Sequence, residues 1–477
     1  MASSDTKWWM RIFDWPAKAG NRRPWDLFAV AMLGIHALGA VVASLSHRAL
    51  YADGSYALFR ILTTLDFFHF DPARQFAQYI LNGPFLLAAV SGVKDLSVLS
   101  VIFGLTLFLH PVVSLAVSYR IVRRVSPALF LFPLISHSLL VTTTSFFMIS
   151  EAHLGASLFW PMLLYVLTVE RIKIGGGIVL AFASIILTRT YELMALCQGL
   201  LLVLLLLRGT RPNSSTTEGF LLKMNVVLVA LGMAVDIWSA LFYRNTTNRG
   251  TVFLYLFSEL ALTDYNLAGA AVLLGLLMFI AISPRSVRFM LSVPFITVLI
   301  LLAIFPAIRP THIMPLHHYA WRSLAVILPF VLGSVLAGYA AYRNNTGFSG
   351  ELVLHVTVLT GALAICSLGW QIAVSNEWNG YRHEVAGKLR SLHGALPFEG
   401  SIMHINGPGP QTVTQFGFSW SVPYSTAMIQ AVESGTVSSI VMAPAGAWSP
   451  PGESILDELP LLGRYGVHID ESLFNRP

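Results

Sequence analysis

"HRALYADGSYALFRILTTLDFFHFDPARQF", residues 47–76, follows the first long apolar run of the chain, and its reading decides the rest. It is too polar to cross a membrane and too aromatic for an ordinary solvated loop. Ala57, Leu58, Ile61, Leu62 and Leu65 share one helical face. Residues 55–66 are therefore expected to lie in a membrane interface with that face in lipid. Asp71-Pro72 suits the start of a second interfacial helix, with an acidic cap and a proline in the first turn. Asp53 stands alone just beyond the first apolar run.

The surrounding chain reads as a polytopic membrane protein. Its 477 residues are 55% hydrophobic and 11% charged, against about 25% charged in soluble domains, and the mean hydropathy is +0.67. Residues 1–25 are polar, basic and Trp-rich, with no small-residue cleavage site after the next apolar run. They are expected to be a cytoplasmic segment at the headgroup level. The net charge of +6 points to basic cytoplasmic loops rather than to nucleic acid. Cys197 and Cys366 both fall in apolar runs, so no disulfide framework is indicated.

A spanning helix needs roughly 20 mostly apolar residues. Runs near 26–46, 96–118, 127–147, 153–169, 174–190, 192–207, 221–243, 266–283, 289–308, 323–342 and 352–371 meet that description, which predicts about eleven spans. Arg120, Arg123 and Arg124, then Arg171 and Lys173, Arg208 and Arg211, Arg285 and Arg288, and Arg343 follow the even-numbered runs, as basic cytoplasmic turns would. The apolar stretch 76–93 is broken by Asn82-Gly83-Pro84 and would invert every later loop if counted. It is expected to be a surface or re-entrant element within an outer loop, 47–95.

These counts divide the chain into the N-terminal segment, a membrane domain over 26–371 and an outer domain over 372–477. In the last, Trp378, Tyr381, Val385, Leu389 and Leu392 recur at helical spacing. "GSIMHIN" and "VSSIVMAP" read as strands flanking a helix over "PYSTAMIQAVES", a small α/β unit. The "NGPGPQ" loop lacks the glycine spacing of a dinucleotide site. Of the sequons at Asn213, Asn245 and Asn344, the expected topology turns only Asn245 outward.

Charged groups beside spans are costly and tend to line a pathway or cavity. Here they gather on the expected outer side: Asp53, Arg60, Asp66, His69, Asp71 and Arg74, then Glu151 and His153, Arg189, Tyr191 and Glu192, Arg244 and Arg249. Arg309, His312, His317, His318, Tyr319 and Arg322 complete the set in "IRPTHIMPLHHYAWRS". Arg60 and Arg74 are read as snorkelling to headgroups, and Arg244 and Arg249 as solvated. Glu192 is equally suited to a structural pair with Arg189 or to a substrate.

The whole architecture resembles the GT-C class of membrane glycosyltransferases, with many spans, an acid and interfacial helices in the first outer loop, and an outer C-terminal domain. Asp53 in "YADGSYALFR" matches the family's first-loop acid; Gly54 follows it where many members place a second acid. The resemblance implies transfer of a sugar, with inversion, from a polyprenyl-phosphate carrier to a glycan, lipid or protein acceptor. It implies Asp53 as general base, Arg189, Arg309 and Arg322 on the lipid phosphate, His312, His317, His318 and Tyr319 as further donors, and Glu151, His153 and Glu192 around the sugar. No cofactor is certain; a divalent metal is possible without being indicated. The expected setting is a bacterial inner membrane, with the N-terminus cytoplasmic and the last domain periplasmic.

Two other readings compete. A ligase of the O-antigen type, or an acyltransferase of envelope glycans, uses outer-loop arginine and histidine. A transporter or flippase for lipid-linked substrates places its polar groups at the midplane. Here Asp236, on the seventh span, is a lone acid away from the span ends.

Overall fold

The structure is a computed structural model. It describes residues 23–51, 53–67, 74–144, 151–211, 216–242, 318–342, 350–396, 421–442 and 455–474. The expected spans at 266–283 and 289–308, the strand expected at 400–406, the "NGPGPQ" loop, the three sequons and Trp420 lie outside those residues.

The described helices of the bundle are α1 Arg23–Leu45, α4 Leu96–Val122, α5 Leu131–Thr144, α6 Glu151–Thr168, α7 Ile174–Thr188, α8 Ala195–Gly209, α9 Thr216–Phe242, α10 His318–Tyr342 and α11 Gly350–Arg390. Between α1 and α4 lie α2 Asp53–Thr64 and α3 Gln75–Val90. The chain is thus a mixed, mainly α-helical protein with several apolar helices able to span a membrane, followed by a small β-containing C-terminal region.

The span count corrects the sequence reading. Among the described residues, five helices are long and apolar enough to cross a membrane: Arg23–Leu45, Leu96–Val122, Glu192–Gly209, Thr216–Ser239 and Val356–Arg390. About eleven were expected, and the GT-C-like fold and glycosyltransferase identity drawn from that count are not supported. Hydropathy registers every apolar run, but Pro127–Leu140, Ile174–Thr188 and Val326–Ala340 form shorter apolar helices. Helix α6 is buried nearly all round, from Ala152 through Leu167, with α4 and α10 packed against it. A helix apolar on every side belongs in the middle of a bundle.

The first loop is also not what its pattern suggested. The apolar face of α2 is covered by protein, not lipid: Leu58, Phe59, Ile61 and Leu62 are fully buried, and only Leu65 of the expected face is exposed. Helix α12, Val422–Ser434, covers it, with Tyr424 edge-on to Tyr56 and Phe59 at 4.6 and 5.4 Å between ring centres. An amphipathic face does not say whether lipid or protein covers it.

Helix α3 runs unbroken through Pro84, so the expected interruption at Asn82-Gly83-Pro84 does not occur. Its 16 residues reach roughly 24 Å, short of the roughly 30 Å hydrocarbon core.

Helix α11 continues without a break from its apolar half past the expected boundary at 372. It carries Trp378, Val385 and Leu389, all fully buried, into the C-terminal region. Trp378 Nε1 donates to the His47 carbonyl at 3.2 Å, fixing this extension on the turn after α1. His47 itself adopts a left-handed φ of 52°. Two short parallel pairs complete the region: β1 Gly394–Leu396 with β3 Ser439–Val441, and β2 Thr436–Val437 with β4 His468–Ile469. Gly435, at φ 67°, ends α12 in the left-handed conformation that glycine adopts freely.

Candidate functional site

The first turn of α3 meets the ends of α6, α7 and α8 on the face of the bundle where α1 also ends. The local sequence explains each position. Glu151 opens α6, where a carboxylate favours the positive end of the helix dipole. Arg189 terminates α7, and Tyr191 and Glu192 form the tight turn into α8.

Arg74 sits at the centre. Its guanidinium lies 3.5 Å from a Glu151 oxygen and 3.3 Å from a Glu192 oxygen, with side-chain exposures of 13%, 14% and 10% for the three residues. It also lies 4.9 Å from the centre of the Tyr191 ring, a cation–π contact. Arg189 donates to Gln75 Oε1 at 2.9 Å. Among the described residues no carboxylate forms an ion pair with Arg189, whereas Arg74 is held by two. Two arginines and two glutamates thus make a charge-balanced cluster in which, among the described residues, Arg189 is held by the Gln75 amide.

The cluster extends inward. Gln198 Nε2 donates to Asp236 Oδ2 at 2.9 Å, joining α8 to the buried acid of α9. Asp236 is near enough to Glu192 and Arg189 for their charges to act on it. His153, two residues after Glu151 on α6, is buried in the bundle.

Three of the site residues expected from sequence, Glu151, Arg189 and Glu192, therefore converge, and His153 lies two residues along α6 from Glu151. His318, Tyr319 and Arg322 occupy the first turns of α10, which packs against the Glu192–Met194 turn and α8. There the Val326 carbonyl accepts from Cys197 Sγ at 3.8 Å. Asp53 opens α2, an element set between α12, the C-terminal segment and α3. Arg309, His312 and His317 lie outside the described residues. Glu192 pairs with Arg74 rather than with Arg189.

Sequence reasoning misplaced two arginines. Arg60 does not reach for headgroups but pairs with Glu458, and Arg74 is the hub of the cluster. A signal for α3 was present: Gln75, Gln78 and Asn82 recur at helical spacing on an apolar helix, and Gln78 and Asn82 are buried. Among the described residues no group of three or more His, Cys, Asp or Glu side chains is placed to hold a metal ion.

No protein-family model, curated protein or solved structure matches this chain. The class defined by fold and site is a polytopic helical membrane protein with a charged mouth and a covered first-loop helix.

Proposed function

We propose that this protein is a membrane-embedded transferase that takes a sugar from a lipid-phosphate carrier, of the polyprenyl type, at the mouth formed by α3, α6, α7, α8 and α10. The convergence of Arg74, Glu151, Arg189 and Glu192 at helix ends supports this reading most directly. A lipid phosphate brings a charged head at the depth where these groups lie, and an arginine that, among the described residues, no carboxylate holds can turn to it as a bidentate donor. Arg189 takes that role. Glu151 and Glu192, oriented by Arg74, accept from sugar hydroxyls.

In the reaction the acceptor oxygen attacks the anomeric carbon from the side opposite the phosphate. The bond from that carbon to the phosphate oxygen breaks, and the electron pair leaves with the lipid phosphate. The acceptor proton passes to a carboxylate, assigned to Asp53 on α2. Positioned proton transfer of this kind contributes roughly 10²–10⁴ in rate, and Arg189 stabilises the departing charge.

Native mass spectrometry of the detergent-purified protein with added polyprenyl phosphate tests the binding step. Stoichiometric binding that Arg189→Ala weakens about tenfold is the expected result. Asp53→Asn should leave binding intact and abolish transfer from a polyprenyl-phosphate sugar. A lipid that binds wild type and Arg189→Ala equally would remove the phosphate assignment.

A further inference from the structure

Helix α3 buries amides that its packing does not explain. Gln78 is 6% exposed and Asn82 is buried with it, while Leu87 and Val90 of the same helix lie open. The amide face of α3 is therefore turned to protein, and the helix packs against α2, α4, α6 and α7.

Helical spacing ties Gln78 to the mouth. Arg74 caps α3, and Gln78 follows Arg74 by four residues and Gln75 by three, so the three share a face. That face meets Glu151 and Glu192 through Arg74, and Gln75 Oε1 accepts from Arg189. At 1.5 Å of rise per residue, Gln78 stands roughly 4–5 Å further along the helix than Gln75.

The two glutamines differ in what holds them. Gln75 Nε2 donates to the Tyr79 hydroxyl one turn on, and the Tyr79 ring stands edge-on to Phe67 with 4.8 Å between ring centres. Gln78 Oε1 is buried and, among the described residues, has no hydrogen-bond partner. An unmade buried acceptor costs stability, and native proteins keep few of them. An amide oxygen has lone pairs and no proton, so the group that completes it must donate. An ionised phosphate oxygen only accepts. A sugar hydroxyl donates.

We propose that Gln78 reads the carried sugar: its Oε1 accepts from a sugar hydroxyl, one helical turn beyond the phosphate held by Arg189. This inference rests on the lipid-phosphate reading and adds to it the group that separates a sugar-bearing carrier from a bare one. A phosphate that takes the Arg189 guanidinium from Gln75 leaves Gln75 Oε1 as a second acceptor. The two amides, one turn apart on one face, then meet two hydroxyls of the same ring. Once the sugar has been transferred both acceptors are open again, which favours release of the spent carrier.

Native mass spectrometry with two kinds of probe provides the test: polyprenyl phosphate, and polyprenyl phosphate carrying one glucose, galactose or mannose. Wild type should bind at least one sugar-bearing probe about tenfold more tightly than the bare phosphate. Gln78→Met keeps the side-chain length and removes the acceptor. It should abolish that preference and leave the affinity for bare phosphate unchanged. Without ligand, Gln78→Met should unfold at a temperature no lower than wild type, because an open buried acceptor has been removed. A lower temperature would mean that the fold already satisfies Oε1, and would overturn the proposal. No sugar preference in wild type, or the same preference in Gln78→Met, would overturn it while the phosphate reading stands. Loss of both kinds of probe by Gln78→Met would assign the amide to the phosphate or to the fold, and would overturn it too. Wild type that bound neither kind would remove the lipid-phosphate reading and this proposal together.

Discussion

Arg60 of α2 and Glu458, 398 residues further along the chain, form an ion pair that joins the first loop to the C-terminal segment. Thr63 Oγ1 donates to the same carboxylate at 3.1 Å, and Tyr465 donates through its hydroxyl to the Leu62 carbonyl at 3.2 Å. The last turns of α2 are therefore held by side chain and backbone alike. The pair is partly exposed, 16% and 26%, so its coupling is that of a surface pair with a good geometry. A double-mutant cycle of Arg60→Ala and Glu458→Ala, read by thermal unfolding in detergent, should give a coupling of about 1 kcal/mol. Strict additivity of the two substitutions would mean that the Tyr465 bond and the apolar contacts to Tyr424 do the fastening.

At the mouth the stakes are higher because the groups are more deeply enclosed. Arg74→Ala leaves Glu151 and Glu192 facing each other with little solvent. Removing one partner of a buried pair costs on the order of 3 kcal/mol. Unfolding of Arg74→Ala should show a loss of that order, and Glu151→Gln with Glu192→Gln added to it should recover part. An Arg74→Ala protein as stable as wild type would mean that solvent already screens the two carboxylates.

The convergence at the mouth was largely legible because helix ends announce themselves. Glu151, Arg189 and Glu192 border apolar runs separated by very short turns, so they cannot move far from the bundle. The Arg74 hub was not legible, since its partners lie in other helices and a lone arginine before an apolar run reads as a headgroup anchor. The same ambiguity hid the fate of α2. Its apolar face was correctly located at Leu58, Ile61 and Leu62, but the pattern is identical whether lipid or Tyr424 covers it. The count of spans failed for another reason: apolar composition is local, while helix length also depends on where the chain turns, as at Arg189, which caps α7 ahead of the tight turn into α8.

The C-terminal region carries its own acid sensitivity. Asp470 accepts from the Ser472 backbone N–H at 2.9 Å and lies 2.8 Å from His393 Nδ1. The Ser472 contacts first, then His393, hold its carboxyl down to about 2 from the usual 3.8. A depressed folded-state value means stabilisation that is present above the unfolded value and lost as pH falls through the folded one. Wild-type stability should therefore fall between about pH 4 and pH 2 through this group, and Asp470→Asn should lack that part of the slope. Parallel acid titrations of the two proteins, followed by tryptophan fluorescence, check it; identical slopes would place the sensitivity elsewhere.

The crossing of α1 and α4 gives a direct test of packing. A Cβ added to Gly104 on α4 would stand 2.9 Å from Ser44 Cα and 3.1 Å from Ser44 Cβ on α1. The first of these is a backbone atom, so no rotamer change relieves the contact and the helices must separate. Around it α1 buries Gly39, Ala40, Ala43 and Ser44, the small residues that let membrane helices approach closely. Overpacking of this kind costs about 1–3 kcal/mol, so Gly104→Ala should lower the unfolding temperature. Gly338 on α10 provides the contrast, since a Cβ there meets nothing within 4 Å. Gly338→Ala should be neutral or stabilising by up to about 1 kcal/mol through helix propensity alone. Similar unfolding temperatures for the two variants would show that α1 and α4 do not pack at the described distance. A lower temperature for Gly104→Ala alone would show that the backbones of α1 and α4 meet where Gly104 faces Ser44.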